Sequence, residues 1–158
     1  ADEDKFQFQA WALGLVGART DDSARKGADR GIDGKLYFHE GKLGKTQTIV
    51  FSVKAGNLTV AHVRDLVGVV TREKAAIGVL LSLKEPTKAM AKEAADAGFY
   101  TSSWDGKKYP VIQLLTVADM LAEKGVERPK VTGANETYKQ APKHVRKVAE
   151  QRDAFEPS

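Results

Sequence analysis

Two short stretches of the chain bring together residue types that phosphate chemistry uses. The first is Gly27-Ala28-Asp29-Arg30-Gly31-Ile32-Asp33-Gly34; the second, about two strand lengths later, is Phe51-Ser52-Val53-Lys54. In an extended strand, residues two apart share a face, so Ser52 and Lys54 project together while Phe51 and Val53 turn the opposite way into apolar packing. A lysine closing an otherwise apolar strand is unusual. If Asp33 opens the strand that pairs with this one, its carboxylate lies beside the Lys54 end. A carboxylate gives Mg²⁺ an oxygen ligand, and a lysine gives phosphate oxygens and an attacking water a compact positive charge, which is what phosphodiester hydrolysis requires. Each residue also has a plainer use. Asp33 beside glycines suits a turn, Lys54 can lay its stem on apolar surface with its ammonium in water, and Ser52 can simply leave room.

The elements that must position these residues follow from periodicity and turn signals. Phe6, Ala10, Leu13 and Gly17 recur at helical spacing, with Trp11 and Leu15 widening the apolar face, and predict a helix over 6–17. Residues 18–30 are polar and charged and read as a loop. Residues 36–39 and 46–54 read as a hairpin joined by a turn over 41–45, because Ile49, Val50, Phe51 and Val53 supply β-branched and aromatic content. Asn57 or Thr59 can cap a helix over 60–74 with Val63, Leu66, Val67 and Val70 on one stripe. The apolar run 76–83 reads as a strand buried on both faces, so that helix and strand form a crossover. A helix over 88–97 closed by Gly98, a last strand over 109–115 and a short helix over 117–124 complete the pattern. These elements make residues 1–125 one α/β domain, and 126–158, polar, basic and broken by prolines, an appendage with one short helix over 145–150.

Composition sets the outer bounds. The chain has 158 residues, 42% of them hydrophobic and 29% charged, which fits one globular domain able to bury a full core. It has no cysteine, which excludes thiolate zinc sites, thiol nucleophiles and disulfides and accords with a reducing, cytoplasmic setting. A net charge of +4 suits a polyanionic partner. The longest apolar run falls well short of the roughly 18–20 residues of a membrane span. The opening Ala1-Asp-Glu-Asp-Lys has no basic leader followed by an apolar stretch, so no secretory signal is expected.

The order helix, Gly-Ile-Asp-Gly at a strand start, strand ending Ser-x-Lys, helix with Val-Arg-Asp-Leu-x-Gly, then Gly-Val-Leu-Leu-Ser resembles the PD-(D/E)xK nuclease superfamily. Within it the chain is most similar to Mrr-like restriction endonuclease domains, particularly those found beside or fused to bacterial DNA methyltransferases, over about Phe6 to Leu121. The resemblance implies a restriction-endonuclease-like fold, a central mixed β-sheet flanked by helices. It implies a Mg²⁺-dependent DNA endonuclease, with Mn²⁺ as a substitute, in a restriction-type defence system. Asp33 takes the place of the metal-binding aspartate and Lys54 that of the catalytic lysine. Ser52 stands where an acidic residue is usual, and Gln9 where many relatives present Glu on the first helix; Asp29 is the nearest carboxylate that could substitute. Double-stranded DNA would be the partner, held by Arg25, Lys26, Arg30 and Lys35. A homodimer would supply the two sites that double-strand cleavage needs, and a methyltransferase would act in cis or in trans.

Ser52 and Gln9 also favour a rival reading, a nuclease-fold module that binds DNA without cutting it. A nuclease directed at RNA or at junctions has no discriminating residue here. His39, His62 and His144 have no metal-ligand spacing. Trp11 is expected in the core, Trp104 and Tyr109 packed near the last strand, and the basic run Lys139, Lys143, Arg146 and Lys147 solvated.

Overall fold

The pairing of two strands rich in β-branched residues organises the molecule, which we describe from a computed structural model over residues 2–20, 31–41 and 44–129. Asp29, the basic residues Arg25, Lys26 and Arg30, His144, the run from Lys139 to Lys147 and the helix expected over 145–150 all lie outside the described residues.

Helix α1 spans Asp2–Leu15 and strand β1 Arg19–Thr20. Strands β2 (Gly34–His39) and β3 (Thr46–Lys54) pair antiparallel in a register running from Gly34 opposite Phe51 to His39 opposite Thr46. Helix α2 (Val60–Glu73) crosses to β4 (Ile77–Ser82), which lies parallel to β3. Helix α3 (Lys88–Asp96) leads to a small hairpin of β5 (Phe99–Thr101) and β6 (Lys108–Pro110), then to β7 (Ile112–Thr116) and helix α4 (Val117–Leu121). The central sheet has the order β1-β2-β3-β4-β7, mixed because β1, β2 and β3 alternate in direction whereas β3, β4 and β7 run parallel. The fold class is therefore the expected one.

The parallel strands are apolar on both faces because helices cover both. On one face Ala12 and Leu13 of α1 and Met120 of α4 pack on Phe38, Phe51, Val53, Val79 and Leu81; on the other, Val63, Leu66 and Val70 of α2 and Met90 of α3 pack on Val50, Leu80 and Ile112. Gly78 makes that second contact close: a Cβ there would fall 2.5 Å from Val70 Cγ2.

Helix ends follow local chemistry. The amide of Thr59, just before α2, donates to His62 Nδ1 at 3.2 Å, so this histidine serves to cap the helix. Thr87 Oγ1 accepts from the Met90 amide at 3.1 Å at the start of α3, and Gly98, at φ +90°, follows its end in the left-handed conformation glycine adopts freely.

Three expectations are corrected. The apolar stripe of α1 is turned: Gln9, Ala12 and Leu13 are buried, while Ala10 is exposed and Trp11 is 47% exposed, its ring 6.0 Å from that of Phe8. The helix also begins earlier, at Asp2, which puts Glu3 and Asp4 in the first turn, where carboxylates complement the helix dipole. Residues Arg19 and Thr20, read as loop, form β1 against β2. The strand expected over 109–115 is two strands in two sheets. Pro110 has no N–H to donate to the central ladder, so its segment pairs with β5 and only Ile112 onward joins the main sheet.

Candidate functional site

The hairpin register brings the start of β2 to the end of β3. With Gly34 opposite Phe51, the preceding Asp33 meets the last residues of β3. Its amide donates to the Phe51 carbonyl at 2.7 Å, and its Oδ2 accepts from the Val53 amide at 2.7 Å. Here a cleft of about 210 Å³ opens, lined by Asp33, Ser52, Val53 and Lys54 from the hairpin, Gly31 before it, and Lys5, Phe6 and Gln9 from α1. Gln9, Asp33 and the pair Ser52 and Lys54, three places far apart in the chain, thus share one cleft. Lys35 lies on β2 opposite Val50, outside the lining of this cleft.

Strand alternation holds as expected. Phe51 and Val53 enter the core beneath α1, and Ser52 and Lys54 take the opposite parity. Gln9 is 5% exposed and Ser52 8% exposed, yet neither side chain hydrogen-bonds to any of the described residues. Buried polar groups are ordinarily satisfied by protein or water, so these two present polar atoms to whatever enters. Lys5 was not singled out from sequence. Its signal is the i, i+4 spacing to Gln9, which places both on one helix face once α1 is known to start at Asp2.

The cleft carries two ammonium groups, Lys5 and Lys54, and one carboxylate, Asp33, one of whose oxygens is engaged by a backbone amide. Mg²⁺ takes octahedral oxygen coordination through one or two carboxylates, usually with phosphate and water. The positions that would add negative oxygens hold Gln9 and Ser52, and no group of three or more Asp, Glu, His or Cys gathers among the described residues. These residues do not fit a resident magnesium ion, and their net charge favours an anion instead.

A second polar centre had no signal in the sequence. Glu40, which follows β2, is 4% exposed and gathers donors from the small hairpin: Ser102 Oγ at 2.8 Å and the Ser103 amide at 3.2 Å on Oε2, and Ser103 Oγ at 3.1 Å on Oε1. Gln47 Nε2 adds a bond at 3.3 Å, and the Tyr100 hydroxyl donates as well. Burial pushes the Glu40 carboxyl up, but these donors outweigh it and hold it below its ordinary range. Burial, then the bond to Glu40, raises the Tyr100 phenol. The centre fastens β5–β6 to the main sheet and lines no cavity with the cleft residues. Next to it Trp104 is 45% exposed, with its ring over Gly41, where a Cβ would come within 2.9 Å.

Two further hollows among the described residues hold none of the expected site residues. One of about 390 Å³ lies among Leu15, Met120, Lys124 and Arg128, and another of about 340 Å³ lies between α3 and β7.

A family model described as NACHT-associated inactive Restriction Endonuclease 1 matches residues 5–122, from Lys5 in the cleft to just past α4. The chain belongs to this family. No curated protein and no solved structure matches it. Membership in NACHT-associated inactive Restriction Endonuclease 1 makes this a restriction-endonuclease-like domain, in accord with the mixed sheet and its flanking helices. The family's description as inactive stands beside a cleft with Gln9 and Ser52 at the expected acid positions. No described helix is long and apolar enough to cross a membrane.

Proposed function

We propose that this domain is a nuclease-fold module that binds DNA through the cleft of Asp33 and Lys54 and does not cut it. The observation that carries this reading is the charge of the cleft, two lysines against one carboxylate that already accepts the Val53 amide. Hydrolysis by this fold would need the metal held by oxygen anions and a water activated beside it. Binding a phosphate needs only the positive charges and a few donors. Lys5 and Lys54 supply the charge, and the Gln9 amide and Ser52 hydroxyl supply donors shielded from bulk water, where a charge-assisted hydrogen bond is stronger.

In this reading the chain descends from the PD-(D/E)xK nucleases through an Mrr-like form, keeping the aspartate and lysine and losing the acids. Asp33 is then a structural clasp between β2 and β3, and Lys54 a phosphate ligand. The family name associates the fold with NACHT modules. The domain would accordingly be a recognition element whose occupancy an attached or partner module reports, and none of the described residues points to a methyltransferase in that place. A module that does not cleave has no need of the paired sites that double-strand cutting imposes.

The test is DNA binding and cleavage measured on the same preparation. Binding that weakens when Lys5 and Lys54 are changed to Gln, with no nicking of supercoiled DNA in Mg²⁺ or Mn²⁺, is expected. Metal-dependent nicking that Lys54→Gln abolishes would restore the enzyme reading.

A further inference from the structure

One face of the central sheet is covered by helices over only part of its width among the described residues. Arg19 lies opposite Lys35, Lys35 opposite Val50, Tyr37 opposite Thr48, and His39 opposite Thr46. Directly opposed residues of an antiparallel pair share a face, and residues two apart along a strand do too. Arg19, Lys35, Tyr37, His39, Thr46 and Thr48 therefore lie on the same side as Val50, the side on which α2 packs. The strand residues that α2 and α3 cover there are Val50, Leu80 and Ile112, in β3, β4 and β7. Toward β1 and β2 the cover ends. Arg19, His39 and Thr46 are exposed, and Tyr37 is 52% exposed although it sits mid-strand between packed neighbours.

The composition of this strip is selective. It holds an arginine and a lysine, a histidine whose Nδ1 lies 2.8 Å from Thr46 Oγ1, two threonine hydroxyls and one aromatic ring. None of these opposed positions is a carboxylate, and neither Arg19 nor Lys35 is in an ion pair with a described residue. The strip runs along β2 from His39 to Lys35, roughly 14 Å at strand rise, toward the strand end where Asp33 borders the cleft. Two cations side by side across β1 and β2, with an exposed ring two residues along β2, suit a single nucleic-acid strand, with charge for its backbone and a flat face for an unpaired base. A duplex keeps its bases stacked inside and has less use for the ring.

We propose that this face carries a single DNA strand, one of whose bases stacks on Tyr37 while Arg19 and Lys35 hold the backbone, and that the strand leads toward the cleft of Lys54. The inference rests on the DNA-binding reading above and names the form of DNA that it takes.

The experiment is fluorescence anisotropy with the full 158-residue chain, using a labelled oligothymidylate of about ten nucleotides, within the usual range of single-strand site sizes, and a duplex of equal length. The single strand should bind more tightly than the duplex. Tyr37→Ala should weaken it roughly tenfold, the loss of one stacked base, with little change for the duplex, and Tyr37→Phe, which keeps the ring, should bind as the native chain does. Arg19→Gln and Lys35→Gln should each reduce the salt slope on the single strand by about 0.7. Tighter binding of the duplex, or a folded Tyr37→Ala protein with native affinity, would overturn the proposal. If Lys5→Gln and Lys54→Gln weaken binding while Tyr37→Ala does not, the cleft reading stands and the strand track falls. If Tyr37→Ala weakens binding and the two lysine changes do not, the track stands and the cleft reading falls.

Discussion

Asp33 Oδ2 accepts the amide proton of Val53 over 2.7 Å, across 20 residues of chain, and so clasps the start of β2 to the end of β3. The bond stations the carboxylate between Ser52 and Lys54 and occupies one of its oxygens. In a site with further acids that would be a minor loss. Here, with Gln9 and Ser52 as the neighbouring polar groups, it leaves the cleft without the oxygen anions a divalent metal demands.

That deficit can be reversed. Ser52→Glu adds a carboxylate beside Asp33, and Mn²⁺ affinity followed by calorimetry should become measurable where the native chain shows little. The gain should vanish in the Ser52→Glu, Asp33→Asn double variant, since one carboxylate alone holds the ion weakly. Unchanged titrations would mean that the two side chains do not converge.

The lysines should act on phosphate and not on the fold. Lys54→Gln and Lys5→Gln should each lower the slope of log affinity against log salt for duplex DNA by about 0.9, the counterion release for one neutralised phosphate. Thermal melting should shift little, because neither lysine forms an ion pair with a described residue.

Acid should loosen the small hairpin first. Glu40 ionises below its ordinary 4.5 in the folded chain, so its hydrogen bonds contribute stability that is fully present above pH 4.5 and is lost as pH falls through the folded value. Unfolding by urea at stepped pH should show this slope on the acid side, and Glu40→Gln should flatten it. Glu40→Ala, which strands the donors of Ser102, Ser103 and Tyr100, should cost about 1–3 kcal/mol at neutral pH.

Space beside the cleft is equally constrained. A Cβ on Gly34 would fall 2.6 Å from Leu13 Cδ2 and 2.8 Å from the Arg19 carbonyl oxygen. The backbone atom cannot step aside cheaply, so Gly34→Ala should destabilise by about 1–3 kcal/mol and lower Tm by about 2–12 °C. It should also weaken DNA binding, because α1 carries Lys5 and Gln9 into the cleft.

Half-buried Tyr109 offers a spectroscopic check on the small hairpin. Its hydroxyl donates to Asp105 Oδ2 at 2.6 Å, which pushes the phenol up to about 12. Ultraviolet titration of Asp105→Asn should return one tyrosine to the ordinary range.

What could be read in the chain alone was whatever depends on near neighbours. The strand parity that pairs Ser52 with Lys54, the start of α2 at Thr59, the glycine after α3 and the apolar run of β4 all express two- or four-residue periodicities and local hydrogen bonds. Asp33 beside the end of β3 was legible for the same reason, since a hairpin is a local device. Contacts distant in sequence were settled by packing. Which face of α1 is buried was decided by Leu13 meeting Gly34, and this turned Trp11 outward and carried Lys5 into the cleft. Glu40 reads as a strand-end acid before a turn, and only the folding of a hairpin 62 residues later onto it supplies the donors that make burial of its charge tolerable. The open face around Tyr37 has the same origin: the alternation of β2 is written in its sequence, but where α2 stops covering the sheet is determined by how far the helix reaches across it.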